Sequence, residues 1–163
     1  RLTDCAETAA LLANIDLVIL DMKAFTPAQH KRVTGLENGE VLDFCQRLAD
    51  LGRRMWLRYV LVPGLTDDDA EMAQVARFGA SRGVVERAEI LPFHQMGRYK
   101  WERLKLNYQL EDTIAPTSEE VARAVAIFAD AGLDPWRMRA WTAIRGACLG
   151  ADAAEVETIL ALL

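Results

Sequence analysis

The sequence contains no apolar run approaching the ~18–20 residues that a membrane-spanning helix needs, so no membrane partner is expected. Cysteine is scarce: Cys5, Cys45 and Cys148 are odd in number and far apart, with no C-x-x-C or C-x-x-x-C pattern among them. That spacing leaves no local metal or cluster motif and suits free thiols buried in a cytoplasmic protein. A basic tract is also missing. The 19 Lys and Arg are outnumbered by 24 Asp and Glu and are scattered, and the net charge of −5 argues against a nucleic-acid partner. The opening Arg1-Leu2-Thr3-Asp4 has neither an initiator methionine nor a basic segment leading into an apolar one. No secretory signal is expected there, and the chain reads as the interior of a longer protein. No repeat or low-complexity tract interrupts it.

What is present is an ordinary globular composition, 52% apolar and 26% charged over 163 residues. A chain of this size buries roughly 70% of its unfolded surface as one domain. The apolar periodicity alternates between helix and strand. Residues 4–13 read as a helix, and Ile15 to Leu20 as a short continuous apolar strand of the kind covered on both faces of a parallel sheet. Pro27 opens a short helix to about Val33, ended by Thr34-Gly35, and Glu40 to Leu51 is an amphipathic helix stopped by Gly52. Met55 to Val62 is a second strand, closed by Pro63-Gly64, and Glu86 to Phe93 is a third. Between them a helix runs to about Ala80, with Thr66 and Asp69 spaced as a capping box; Thr117 and Glu120 open the helix from Thr117 to Ala131 in the same way. Residues 97–115 read as a charged, aromatic loop. Helical connections between like-facing strands imply β-α-β crossovers, and three strands are too few to close a barrel. The expected fold is therefore α/β, the second half of a larger barrel. Beyond Leu133 the pattern changes, and residues 134–163 are expected to form an atypical helical tail, either an extension or an out-of-frame continuation.

Four polar residues stand at or near strand ends. Asp21 and Lys23 are two apart and share a face, an arrangement that suits a zwitterion's ammonium and carboxylate but equally a solvent-exposed ion pair. Arg58 sits inside the apolar run Trp56-Leu57-Arg58-Tyr59-Val60, where a buried guanidinium needs a carboxylate or phosphate; an internal Arg–Asp bridge meets that need as well as a ligand does. His94 ends the third strand, as a ligand donor or as a hydrogen-bonded loop residue. In a barrel all of these would converge on one mouth. The run Asp67-Asp68-Asp69 reads as helix capping rather than a metal site.

Taken in order, Leu20-Asp21-Met22-Lys23, His30…Thr34-Gly35…Asn38, Trp56 to Asp68, and Leu91-Pro92-Phe93-His94-Gln95-Met96-Gly97-Arg98-Tyr99-Lys100-Trp101 strongly resemble the pyruvate formate-lyase activating enzymes. The resemblance runs from about residue 1 to Leu133, the C-terminal part of such an enzyme. It implies a partial (β/α)6 TIM-like barrel of the radical S-adenosylmethionine superfamily, here with three parallel strands and flanking helices. It also implies an oxidoreductase that uses S-adenosylmethionine and a [4Fe-4S] cluster to generate a glycyl radical on a partner such as pyruvate formate-lyase. Carried over by position, Asp21, Lys23, Arg58 and His94 are expected to bind S-adenosylmethionine. Asp21 is also expected to help hold a monovalent cation, and residues 97–101 to form part of the rim near the partner. A cytoplasmic monomer is expected. The family's C-x-x-x-C-x-x-C loop and Gly-Gly-Glu strand end are absent from this sequence, so this chain is not expected to ligate the cluster or generate a radical by itself. The same residues also admit a binding-only half-barrel or inert fragment, or a cofactor-free barrel lyase with a Schiff base on Lys23.

Overall fold

The computed structural model describes residues 6–133, so Cys5, Cys148 and the expected tail at 134–163 lie outside the described residues. The elements run α1 (Ala6–Ala13), β1 (Leu17–Asp21), α2 (Pro27–Thr34), α3 (Gly39–Asp50), β2 (Arg54–Leu61), α4 (Asp69–Ser81), β3 (Val85–Pro92), α5 (Arg98–Leu104) and α6 (Ser118–Asp130). The three strands form one open parallel sheet in the order β1-β2-β3. Among the described residues no helix is long and apolar enough to cross a membrane.

The second strand shows how the sheet is layered. Burial alternates along it, so Met55, Leu57, Tyr59 and Leu61 are sealed while Arg54, Trp56, Arg58 and Val60 face the other way. The sealed face meets helices throughout. Leu57, Tyr59, Leu61, Ala88 and Ile90 pack with Met72 and Val75 of α4 and with Ala124 and Phe128 of α6. Met55 packs with Leu12 of α1 and with Cys45 and Leu48 of α3. Tyr59 and Phe128 meet as tilted rings with centroids 5.6 Å apart. Gly79 lets α4 approach the sheet closely, since a Cβ there would sit 2.9 Å from Leu57 Cδ2.

Several expectations need correction. Ile15 belongs to the turn after α1, its N–H donating to the Leu12 carbonyl, so the first strand starts at Leu17. That strand is not covered on both faces: it is an edge strand, and Ile19 is 48% exposed. The α4 cap is Asp68, whose carboxylate accepts from the Glu71 N–H, and not Thr66 with Asp69. Thr66 pins the preceding turn instead, accepting from Val62 N–H at 2.8 Å and donating to Val60 O at 2.6 Å. The expected loop at 97–115 contains α5, supported by an Arg98–Glu102 pair one turn apart and ended by Lys105 at φ 55°. The Thr117–Glu120 capping box is present in full.

Candidate functional site

The open face of the sheet carries the polar residues. Parallel register sets Asp21 beside Arg58 and Arg58 beside Glu89, with Trp56 beside Arg87 one pleat below. Arg58 grips Asp21 with both prongs, Nε donating to Oδ1 at 2.9 Å and Nη2 to Oδ2 at 3.0 Å. Lys23 stands on the same side as Asp21, its Nζ 3.7 Å from Oδ2. The structure thus brings Asp21, Lys23 and Arg58 into one cluster.

Arg58 is not buried, contrary to the look of its sequence neighbourhood. Its side chain and that of Asp21 are 35% and 36% exposed, whereas the Arg87–Glu89 pair further along the same face is only 16% and 10% exposed. The internal Arg–Asp bridge and the ligand-facing reading therefore hold together: Arg58 is paired, and the pair is open to solvent. A carboxylate offers about four acceptor positions, so Arg58 leaves Asp21 capacity for a further donor.

His94 stands apart. It lies beyond the end of β3, further out along the sheet than the row Asp21–Arg58–Glu89, and it is exposed. Its Nδ1 accepts from the Met96 N–H at 3.2 Å, capping a short 3₁₀ turn over Gln95–Gly97. With Nδ1 accepting, a neutral imidazole carries its proton on Nε2 and serves as a donor.

Sequence reasoning missed Glu89, Arg87 and Trp56. Glu89 is 8% exposed and pairs with Arg87 at 3.1 Å, and the Arg87 guanidinium lies 4.8 Å from the Trp56 ring centre. The signal was available, since Arg87 and Glu89 are two apart in an apolar strand, as exposed to suspicion as Arg58.

The loops that carry the site are tied to one another. Glu71, on α4, accepts from Phe25 N–H at 3.0 Å and Thr26 N–H at 3.2 Å in the β1–α2 loop. In return Gln29, on α2, donates to the Leu65 carbonyl in the β2–α4 loop. Asn38, buried, donates to the Phe25 carbonyl, and buried His30 bonds through Nδ1 to Leu36 O at 2.9 Å. Thr34 donates its hydroxyl to the His30 carbonyl at 2.8 Å, so His30, Thr34 and Asn38 act as local scaffolding.

Candidate cysteine chemistry reduces to Cys45 among the described residues, and it is fully buried. Burial pushes its thiol up to about 11, with Arg82 opposing slightly. Among the described residues there is no group of three or more His, Cys, Asp or Glu placed to hold a metal.

A comparison with family models finds no match. Curated relatives do match. Over 114 residues, 70% of this chain, it is 44% identical to a pyruvate formate-lyase-activating enzyme of Streptococcus mutans and 41% identical to one of Staphylococcus aureus. The chain spans only 43% and 45% of those two proteins. Among solved structures, a domain of a pyruvate-formate lyase-activating enzyme from Bacteroides vulgatus shares the fold, with TM-score 0.64, 22% identity, and 80% of this chain and 72% of that chain covered. A radical SAM methyltransferase from Sphaerobacter thermophilus does so at TM-score 0.51 and 24% identity, covering 71% of this chain and 31% of that one. Over the matched 114 residues, this chain is homologous to the pyruvate formate-lyase-activating enzymes.

Proposed function

We propose that this chain is part of a radical S-adenosylmethionine activase that generates a glycyl radical on pyruvate formate-lyase or a related enzyme. The observation that carries the reading is the open cluster of Asp21 and Lys23 at the end of β1 with Arg58 beside them on β2, in a chain 44% identical over 114 residues to a pyruvate formate-lyase-activating enzyme. In this reading the cluster holds the methionine end of S-adenosylmethionine. That group is a zwitterion, and the residues suit it: Lys23 and Arg58 offer cations to the carboxylate, and Asp21 offers its remaining acceptor positions to the ammonium. In this reading His94, beyond the end of β3, would offer its Nε2–H to a part of the same ligand remote from the Asp21–Lys23–Arg58 cluster. Asp21 would also serve a monovalent cation. When bound, the cofactor supplies a sulfonium that accepts one electron, chemistry that no described side chain provides.

The described residues do not fit a [4Fe-4S] cluster. Such a cluster takes thiolates, whereas Cys45 is sealed in the core and held neutral by its burial. In this reading the described residues hold the cofactor's amino-acid end and not the cluster.

We also read residues 1–133 as part of a (β/α)6 barrel wall. Two features support this. All core helices lie on one face of the sheet, and the opposite face carries an ion pair, Arg87–Glu89, only 16% and 10% exposed, as a barrel interior would. At the β1 edge, an apolar groove of about 440 Å³, lined by Leu11, Leu12, Val18, Ile19 and Phe44, suits a preceding barrel unit.

The test is a chimera in which the 114 matched residues of this chain replace their counterparts in the Streptococcus mutans enzyme. It should raise a glycyl-radical electron paramagnetic resonance signal on pyruvate formate-lyase, and Lys23→Met should abolish it. A folded chimera that gives no signal while its parent does would overturn the reading.

A further inference from the structure

We propose that Glu71 is a positioning residue for Lys23: its carboxylate fixes the loop that carries the lysine, and so sets where the lysine's charge meets an amino-acid ligand. The proposal rests on the S-adenosylmethionine reading of the cluster and names a residue outside it.

Glu71 lies in the first turn of α4 and is 9% exposed. Carboxylates in a first turn commonly serve their own helix end. Here the cap is Asp68, which accepts the Glu71 N–H at 2.8 Å, and the Glu71 carboxylate is not used on its own helix. The Glu71 carboxylate turns away to the loop after β1, in a different β-α unit. It accepts two consecutive amides, Phe25 and Thr26, and the Thr26 hydroxyl. Thr26 is the α2 cap, so its hydroxyl donates to Glu71 while accepting from Gln29 N–H. From the other side, Asn38 holds the Phe25 carbonyl. The peptide units of Phe25 and Thr26 are thus gripped by side chains from α4 and from the start of α3.

Lys23 depends on that grip. Its neighbours Met22 and Ala24 are 0% and 1% exposed, which fixes which way Lys23 points. The Met22 N–H donates to the Arg58 carbonyl at 3.0 Å and ties the near side of Lys23 to β2, but that bond and the burial of two apolar side chains leave the far side of the loop unfixed. Nor does the ion pair, since Nζ lies 3.7 Å from Asp21, outside hydrogen-bond distance. Paired amides bonded to a buried carboxylate do fix it, because they are directional and charge-assisted.

The experiment uses the full 163-residue chain. Calorimetric titration compares S-adenosylmethionine with 5′-methylthioadenosine, which lacks the amino-acid end, in wild type, Glu71→Ala and Glu71→Gln. Glu71→Ala should weaken S-adenosylmethionine by about tenfold or more and leave methylthioadenosine unchanged. Glu71→Gln keeps one acceptor oxygen and should fall between. Equal loss for both ligands, or no loss for either, would overturn the proposal. If wild type binds no S-adenosylmethionine, that failure belongs to the pocket reading. The positioning claim is then decided without ligand, from the NMR signal of ¹³C-methylated Lys23. A shift in Glu71→Ala that a core change of similar cost, Val75→Ala, does not produce supports it; an unmoved signal overturns it.

Discussion

Replacing Asp21 with Asn and Arg58 with Gln, singly and together, isolates the coupling between the two residues at the centre of the open face. Two unit charges about 4 Å apart attract by about 1 kcal/mol in water and about 4 kcal/mol at an effective dielectric of 20. The pair has good geometry, with two bonds of 2.9 and 3.0 Å, but both side chains are about one-third exposed. Couplings measured for exposed pairs run about 0.2–1 kcal/mol, whereas breaking a buried pair costs about 3–5 kcal/mol. Lys23, 3.7 Å from Asp21, further softens the loss of Arg58, because it leaves the carboxylate with a cation nearby. The expected coupling is about 1 kcal/mol, equivalent to roughly 2–4 °C in Tm for a chain of this length. Urea denaturation of the four proteins, followed by tryptophan fluorescence, reads it directly. It should shrink in 1 M salt, where the screening length falls to about 3 Å. A salt-insensitive coupling above about 3 kcal/mol would refute the reasoning. It would show a desolvated structural strut rather than a pair open to ligand.

Two further predictions concern the scaffold. Thr66→Val deprives the buried Val62 N–H of its partner and should cost about 1–3 kcal/mol by urea denaturation; an unchanged midpoint would show that the turn finds another acceptor. In a Cys5→Ser/Cys148→Ser background, Cys45 should resist Ellman's reagent at pH 8 until the chain unfolds, and rapid reaction in the native state would contradict its burial. The sign of its pH effect follows. Folding raises the thiol from 9.0 to about 11, so its contribution to stability is intact below pH 9 and is lost between pH 9 and about 11.

Much of this was legible from periodicity. The β2 alternation places Met55, Leu57, Tyr59 and Leu61 inward, and the Thr117 cap with its Glu120 partner starts α6. Asp21, Lys23 and Arg58 stood out because charge at the end of an apolar strand demands a partner. Which partner was not legible. That Arg58 meets Asp21 follows from strand register, which pairs residues 37 positions apart and is not written in either strand alone. Glu71 was invisible for a related reason: it looks like one more acid in a helix's first turn, and only the tertiary fold carries its carboxylate to residues 45 and 46 positions earlier. The helix α5 was hidden by its exposure, since Tyr99, Trp101 and Leu104 face solvent and trace no buried stripe.

The central claim is that Lys23 recognises the carboxylate of an amino-acid-bearing cofactor. Calorimetric titration with S-adenosylmethionine and with its decarboxylated analogue, in wild type and Lys23→Met, tests it most directly. The wild-type chain should prefer the carboxylate-bearing cofactor by roughly tenfold, the equivalent of about 1.4 kcal/mol, and Lys23→Met should erase that preference. An equal preference in both proteins would contradict the account.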